Sequence, residues 1–306
     1  ITGIPYYYRL FGYEMCVPLD TGRFVYETQI KKLKEGEQEL YLIRKAGEDD
    51  IPELIACYTQ LERRSPLSSQ MDEIRWRYEL SGKSEKNVTR VELYMITDLE
   101  GRVVGALGIP VNFWGLGWVS TYYELKPGVD YLAVTPVVLR FLHALGQQRG
   151  TPDEPYRRTG LFLGEDHPAY LILETQNSPP NRSYTWYLRV PDLPAFLRRI
   201  APVLEDRLAE SPCAGHNGEM RITFYKSGLS IHFEQGRIRE VQPLESLAWD
   251  AADAHFPGLT FLQVLFQHRT VDELRHIYTD AYANTTATAL LKVLFPRQPS
   301  DIWLIC

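Results

Sequence analysis

Apolar residues recur at helical spacing from Ile51 onward, at Ile51, Leu54, Ile55, Tyr58 and Leu61, and predict an amphipathic helix. Asp49 or Asp50 is placed to cap it, because a carboxylate accepts bonds from free N–H groups, and Pro52 suits its first turn. Ahead of it, residues 39–44 read as a strand that follows the polar stretch 31–38. Three more strands are expected at residues 88–97, 102–111 and 117–125, the first two joined by a hairpin around Leu99-Glu100-Gly101. A second helix is expected to open with Thr135 as cap and Pro136 as its first residue, burying Val138, Leu142 and Leu145. Residues 159–164 and 183–190 read as further short strands.

Beyond residue 190 the pattern changes. Asp192 can cap a helix that buries Phe196, Leu197, Ile200 and Leu204. Three strands at residues 220–225, 229–233 and 237–241 are separated by the glycine-bearing turns Ser227-Gly228 and Gln235-Gly236. Thr270 and Glu273 form a capping box over Leu274 and Ile277, and Leu290, Leu291 and Leu294 continue the helical pattern.

Composition narrows the function classes. A chain of 306 residues is long enough for two domains of ordinary size. A net charge of −6 argues against a nucleic-acid binder, which would show a basic face. No apolar run is long enough to span a bilayer, so no membrane partner is expected. Cys16, Cys57, Cys213 and Cys306 are scattered, with no CxxC pair, which fits reduced thiols in a cytoplasmic protein. The histidines show no HExxH or similar spacing, and no metal site is expected. Cys57 lies on an apolar helix face and reads as core. Asn87-Val88-Thr89 matches a glycosylation sequon by chance unless the chain is secreted.

The densest chemical signal is residues 5–14, PYYYRLFGYE. Tyr8 stands five positions before Tyr13, the second aromatic of an F-G-Y turn. The run resembles the short helix and following strand that close an acetyl-CoA site in the GNAT superfamily of N-acetyltransferases. The segment around residues 260–269, the capped DELRHIY helix and the final LLKVLFPRQPSDIWL resemble the C-terminal, sterol-carrier-like domain of that superfamily's enhanced intracellular survival (Eis) branch.

The resemblance covers essentially the whole chain. It implies an α+β, mixed α/β protein: a GNAT-like domain with a mostly antiparallel sheet flanked by helices, then a sterol-carrier-protein-like α+β domain. Residues 1–24 would be the C-terminal remnant of a first, catalytic GNAT domain, 25–38 a linker, 39–190 a second GNAT-like domain and 191–306 the sterol-carrier-like domain. The family places most of its first domain ahead of the tyrosine-bearing turn, so the chain reads as part of a longer protein, inactive alone, whose cofactor-binding residues precede residue 1. In the second domain the place of the family's phosphate-binding loop falls at residues 134–140, VTPVVLR, which has no glycine. That domain is not expected to bind acetyl-CoA.

By the same resemblance Tyr8 protonates the departing coenzyme A thiolate, a task suited to a phenol, which holds its proton at neutral pH. The α-carboxylate of Cys306 would help to deprotonate the attacking amine, although the chain ends Leu-Ile-Cys with no acidic side chain beside it. Trp303, Tyr6 and Tyr7 are candidates for the substrate pocket. The implied reaction uses acetyl-CoA as cosubstrate and a small-molecule or peptide amine as acceptor, in a homo-oligomer. The alternative is a non-catalytic ligand-binding or assembly module.

Overall fold

The computed structural model describes residues 1–2, 4, 6–19, 21–112, 117–153, 155–174 and 184–303, without the side chain of residue 174. Two compact units emerge, and the chain visits each of them twice. One comprises Ile1–Val17 and Thr185–Gln298; the other comprises Pro18–Tyr184 and the residues from Pro299 on.

The second of these units is built on an antiparallel sheet of four strands, in the order Tyr41–Lys45, Val91–Asp98, Val103–Pro110 and Tyr122–Leu125. Both of its faces are covered, and the period-2 alternation of strand side chains shows how. Tyr94, Ile96, Leu107 and Ile109 meet Val134, Val138 and Leu142 of the helix Tyr131–Arg149. Leu93, Met95, Ala106 and Tyr122 meet Leu54, Cys57, Tyr58 and Leu61 of the helix Ile51–Arg64. The hairpin forms where the sequence placed it: Asp98 accepts from the backbone N–H groups of Glu100 and Arg102, and Gly101 supplies φ +82°.

Three local expectations are corrected. The expected strand at residues 117–125 is two strands that serve different sheets. Trp118–Ser120 runs parallel to Thr159–Leu161, which pairs in turn with Arg23–Val25, whereas Tyr122–Leu125 stays in the main sheet. The switch is fixed by the Ser120 hydroxyl, which reaches the carbonyls of Gly108 and Tyr122 at 3.0 and 2.7 Å. Asp50 does not cap its helix; its carboxylate accepts from the Arg44 guanidinium and the Gly47 N–H instead.

The third correction concerns the helix Tyr131–Arg149, which starts well before Thr135. Asp130 caps it by accepting from the Leu132 N–H at 2.8 Å, and Pro136 lies in its interior. An interior proline forfeits one helical bond, at a cost of about 3 kcal/mol. The buried Val134 and the bond between the Thr135 and Tyr123 hydroxyls hold the early turn in place despite it. Residues 134–140 are therefore helix interior, and the turn entering the helix reads Lys126-Pro127-Gly128-Val129.

A polar cluster lies inside this unit. Arg64 grips the Glu124 carboxylate with both terminal nitrogens, and the Tyr131 hydroxyl donates to it at 3.3 Å. His167 stands 3.5 Å away; its Nδ1 accepts from the Ala169 N–H, so the remaining proton sits on Nε2 and donates to the Tyr123 carbonyl at 2.7 Å. Burial keeps this imidazole below its ordinary range, in agreement with the neutral tautomer. Burial works against the Glu124 charge, and the adjoining His167 and Arg64 outweigh it, so the carboxyl lies below its usual value.

The strand Ser300–Asp301 runs parallel to Leu67–Ser68 in the same unit. Burial, and then the nearby Glu124 charge, push the Asp301 carboxyl up to about 7. A carboxyl raised on folding binds a proton that the unfolded chain releases near pH 4, so stability falls as pH rises from about 4 to 7. Asp301→Asn is accordingly expected to raise the melting temperature at pH 8 and to lose that advantage at pH 4. Parallel melting curves of the two proteins at both pH values check this.

In the other unit, Arg237–Leu244, Gly228–Glu234 and Gly218–Thr223 form an antiparallel meander, extended by Ala254–His255 and Tyr282–Ala283. Gln235 and Gly236, at φ +49° and +75°, make the tight turn expected between two of these strands. Asp192 caps the helix Leu193–Ala209 by accepting from the Ala195 N–H. Thr270 and Glu273 close their capping box over the helix Val271–Ile277.

Candidate active site around Tyr8

The run YYRLF folds into a 3-10 helix, Tyr7–Phe11, which Gly12 ends at φ +80° and the strand Glu14–Leu19 follows. The Tyr13 N–H reaches back to the Tyr8 carbonyl at 3.2 Å, closing the turn. The helix is entered through Tyr6 at φ +71°, a positive value that costs a side-chain-bearing residue energy, and residues held this way cluster at functional sites.

Tyr8 is half-buried in a nest of rings. Tyr187, on the strand Tyr184–Leu188, lies 5.6 Å from it between centroids, Tyr7 5.4 Å and Tyr13 6.1 Å. Ring pairs of this kind contribute about 0.5–1.5 kcal/mol each beyond area burial, enough to hold one side-chain orientation. Tyr187 is 1% exposed, and its hydroxyl is buried with no hydrogen-bond partner among the described residues. Its backbone is paired, the N–H donating to the Ile1 carbonyl at 2.8 Å.

Below the helix sits Glu14, a carboxylate that sequence reading passed over. It is 4% exposed and accepts from Arg9 at 2.7 Å, from the Met15 N–H at 3.0 Å and from the Gln263 amide at 3.3 Å. Nothing local marks an acidic residue at the start of a strand as buried. The signal lies in Gln263, more than two hundred positions along, on the helix Phe261–Leu265. The Arg9–Glu14 pair ties the helix to the strand after it and so fixes the turn that carries Tyr8. Burial, with Glu14 adding to it, drives the neighbouring Cys16 thiol far above its usual range and leaves it inert.

The other candidates lie as follows. Tyr7, on the same helix as Tyr8, is 49% exposed, and Tyr6, which precedes that helix, is 70% exposed. Trp303 belongs to the unit containing Pro18–Tyr184, where it is buried against Tyr58, Trp76 and Tyr122, its backbone N–H donating to the Ser69 hydroxyl. Cys306 lies outside the described residues. Cys57 is core, fully buried, its thiol pushed up to about 12 by burial. Among the described residues, no three His, Cys, Asp or Glu side chains cluster as a metal site would need, and no helix is long and apolar enough to cross a membrane.

No family model and no curated protein matches the chain. Solved structures do. It is similar to a GCN5-related N-acetyltransferase from Anabaena variabilis, at 12% identity and a TM-score of 0.59, over 99% of this chain and 71% of that one. A conserved protein from Enterococcus faecalis, described as a probable N-acyltransferase, aligns at 12% identity and a TM-score of 0.58, over 97% and 68% of the two chains. Eis1 from Mycobacterium abscessus aligns at 13% identity and a TM-score of 0.52, over 99% and 71%. At these identities the likeness concerns architecture: the chain has the mixed α+β fold of the GCN5-related N-acetyltransferase and Eis structures.

Proposed function

We propose that this protein is an acyl-CoA-dependent N-acyltransferase that moves an acetyl group from acetyl-CoA to a primary amine by direct attack within a ternary complex. The amine nitrogen attacks the thioester carbonyl, the carbon–sulfur bond breaks, and the departing thiolate takes the Tyr8 phenol proton. The proton released by the amine passes to solvent, and Tyr6 and Tyr7, beside Tyr8 in sequence, contribute to the acceptor pocket. The observation that carries this reading is the seating of Tyr8: a short helix entered through a strained residue, locked by the Arg9–Glu14 pair and walled by rings. The fold shared with N-acetyltransferases supports it.

The turn into the helix Tyr131–Arg149 bears on where the acyl donor goes. A phosphate cradle needs free N–H groups at a helix start, and there the Leu132 N–H already belongs to the Asp130 carboxylate. A negative side chain in that place opposes a pyrophosphate, so this unit is assigned no coenzyme. The protein is further proposed to work in the cytoplasm as a homo-oligomer.

The test is acetyl-CoA binding by calorimetry, followed by transfer to a panel of primary amines, with the product of the complete reading frame. Binding with turnover supports the proposal. Absence of acetyl-CoA binding overturns it and favours a ligand-binding or assembly module.

A further inference from the structure

A second polar site, separate from the chemistry proposed for Tyr8, belongs to the unit that contains Pro18–Tyr184. The short helix Glu73–Arg77 widens into a π-helical turn, Tyr78–Gly82, a geometry that recurs at functional positions. This turn carries Glu79 into the interior, where its side chain is fully buried. Next to it opens a cavity of about 100 Å³, lined by Lys45, Glu79, Leu80, Arg90, Glu92 and neighbouring apolar residues. At roughly 30 Å³ per water, that space holds about three waters or one small ion.

The charges around it do not balance. Glu79 lies 2.6 Å from Lys83 and 3.1 Å from Arg75, close pairs that lack hydrogen-bond alignment. Glu92 is held by Arg149 at 2.6 Å and Lys45 at 3.3 Å, and the Tyr94 hydroxyl donates to it. Each wall carboxylate thus has two cations of its own. Arg90 has none to answer it: no described carboxylate lies within 4 Å of its guanidinium, and its Nε is buried with no partner. A buried guanidinium N–H without an acceptor is costly, and planar forked donors match carboxylate and phosphate oxygens.

We propose that this cavity binds a small anion, a carboxylate or a phosphate group, on the Arg90 guanidinium. The excess of Lys45, Arg75, Lys83, Arg90 and Arg149 over Glu79 and Glu92 supplies the field, and Arg90 supplies the directed donors. The site is independent of the acyltransfer reading.

Calorimetric titration of the full chain with sodium phosphate and with sodium acetate, at ionic strength matched with sodium chloride, tests this. Saturable binding of either anion is expected. Phosphate alone points to a phosphorylated ligand, and acetate alone to a carboxylate. Arg90→Met should weaken binding about tenfold or more, while Arg102→Met, on the exposed hairpin, should leave it unchanged. Arg90→Lys, which keeps the charge but not the fork, should weaken it as well, and it serves if Arg90→Met does not fold. Heat no greater than with chloride, or Arg90 variants that bind as the parent does, would overturn the proposal.

Discussion

Tyr8→Phe should cut kcat about a hundredfold or more while leaving KM for acetyl-CoA and amine nearly unchanged. A positioned general acid contributes roughly 10²–10⁴ to rate, and a proton delivered only as the carbon–sulfur bond breaks stabilises the transition state without holding the ground state. The ring remains in the variant, so its contacts with Tyr187 and Tyr13 persist. Tyr187→Phe is the matched control. It removes a buried hydroxyl that has no partner, which relieves a penalty of about 1–3 kcal/mol. It should therefore raise the melting temperature and leave kcat within about threefold of the parent. Steady-state kinetics and melting curves for both variants separate loss of a proton donor from loss of packing. Equal rates for Tyr8→Phe and the parent would remove Tyr8 from the chemistry.

The largest loss of stability should follow Arg64→Met. Glu124 is 1% exposed, and Arg64 is its bidentate partner. Removing one member of a buried pair strands the other charge, at a cost of about 3–5 kcal/mol, or on the order of 10 °C for a unit of this size. The abandoned carboxylate would then draw a proton onto His167, and the Ala169 N–H would lose its acceptor. Neutralising both partners, Arg64→Met with Glu124→Gln, should recover part of the loss. Chemical denaturation of the three variants measures it. If the double variant melts with Arg64→Met, the penalty lies in packing around the arginine and not in the stranded charge.

Features governed by near neighbours were legible in the sequence. The Asp98 hairpin, the Asp192 cap and the Thr270–Glu273 box each satisfy backbone groups within four residues, so their chemistry is written side by side. The proline at 136 misled for an equally local reason. Its preference for a first turn is real, but Val134 and Thr135 are held by partners in the sheet and overrule it. The helix and strand around Tyr8 could be read from residues 5–14, and the rings around Tyr8 in part. Glu14, Tyr187 and Arg90 could not, because strand pairing and helix packing brought distant residues to them or left them with none.

The placement of Trp303 sets a clock on synthesis. Its cluster mates Tyr58, Trp76 and Tyr122 have all been translated by residue 122, yet their shared core stays open on one side until the strand Ser300–Asp301 and Trp303 emerge. At about 5–20 residues per second, that interval lasts on the order of 10–40 s. The residues up to Val17 likewise wait for partners that begin at Thr185. Until those partners emerge, a nascent molecule carries two unfinished apolar cores at once, open to capture by holdases.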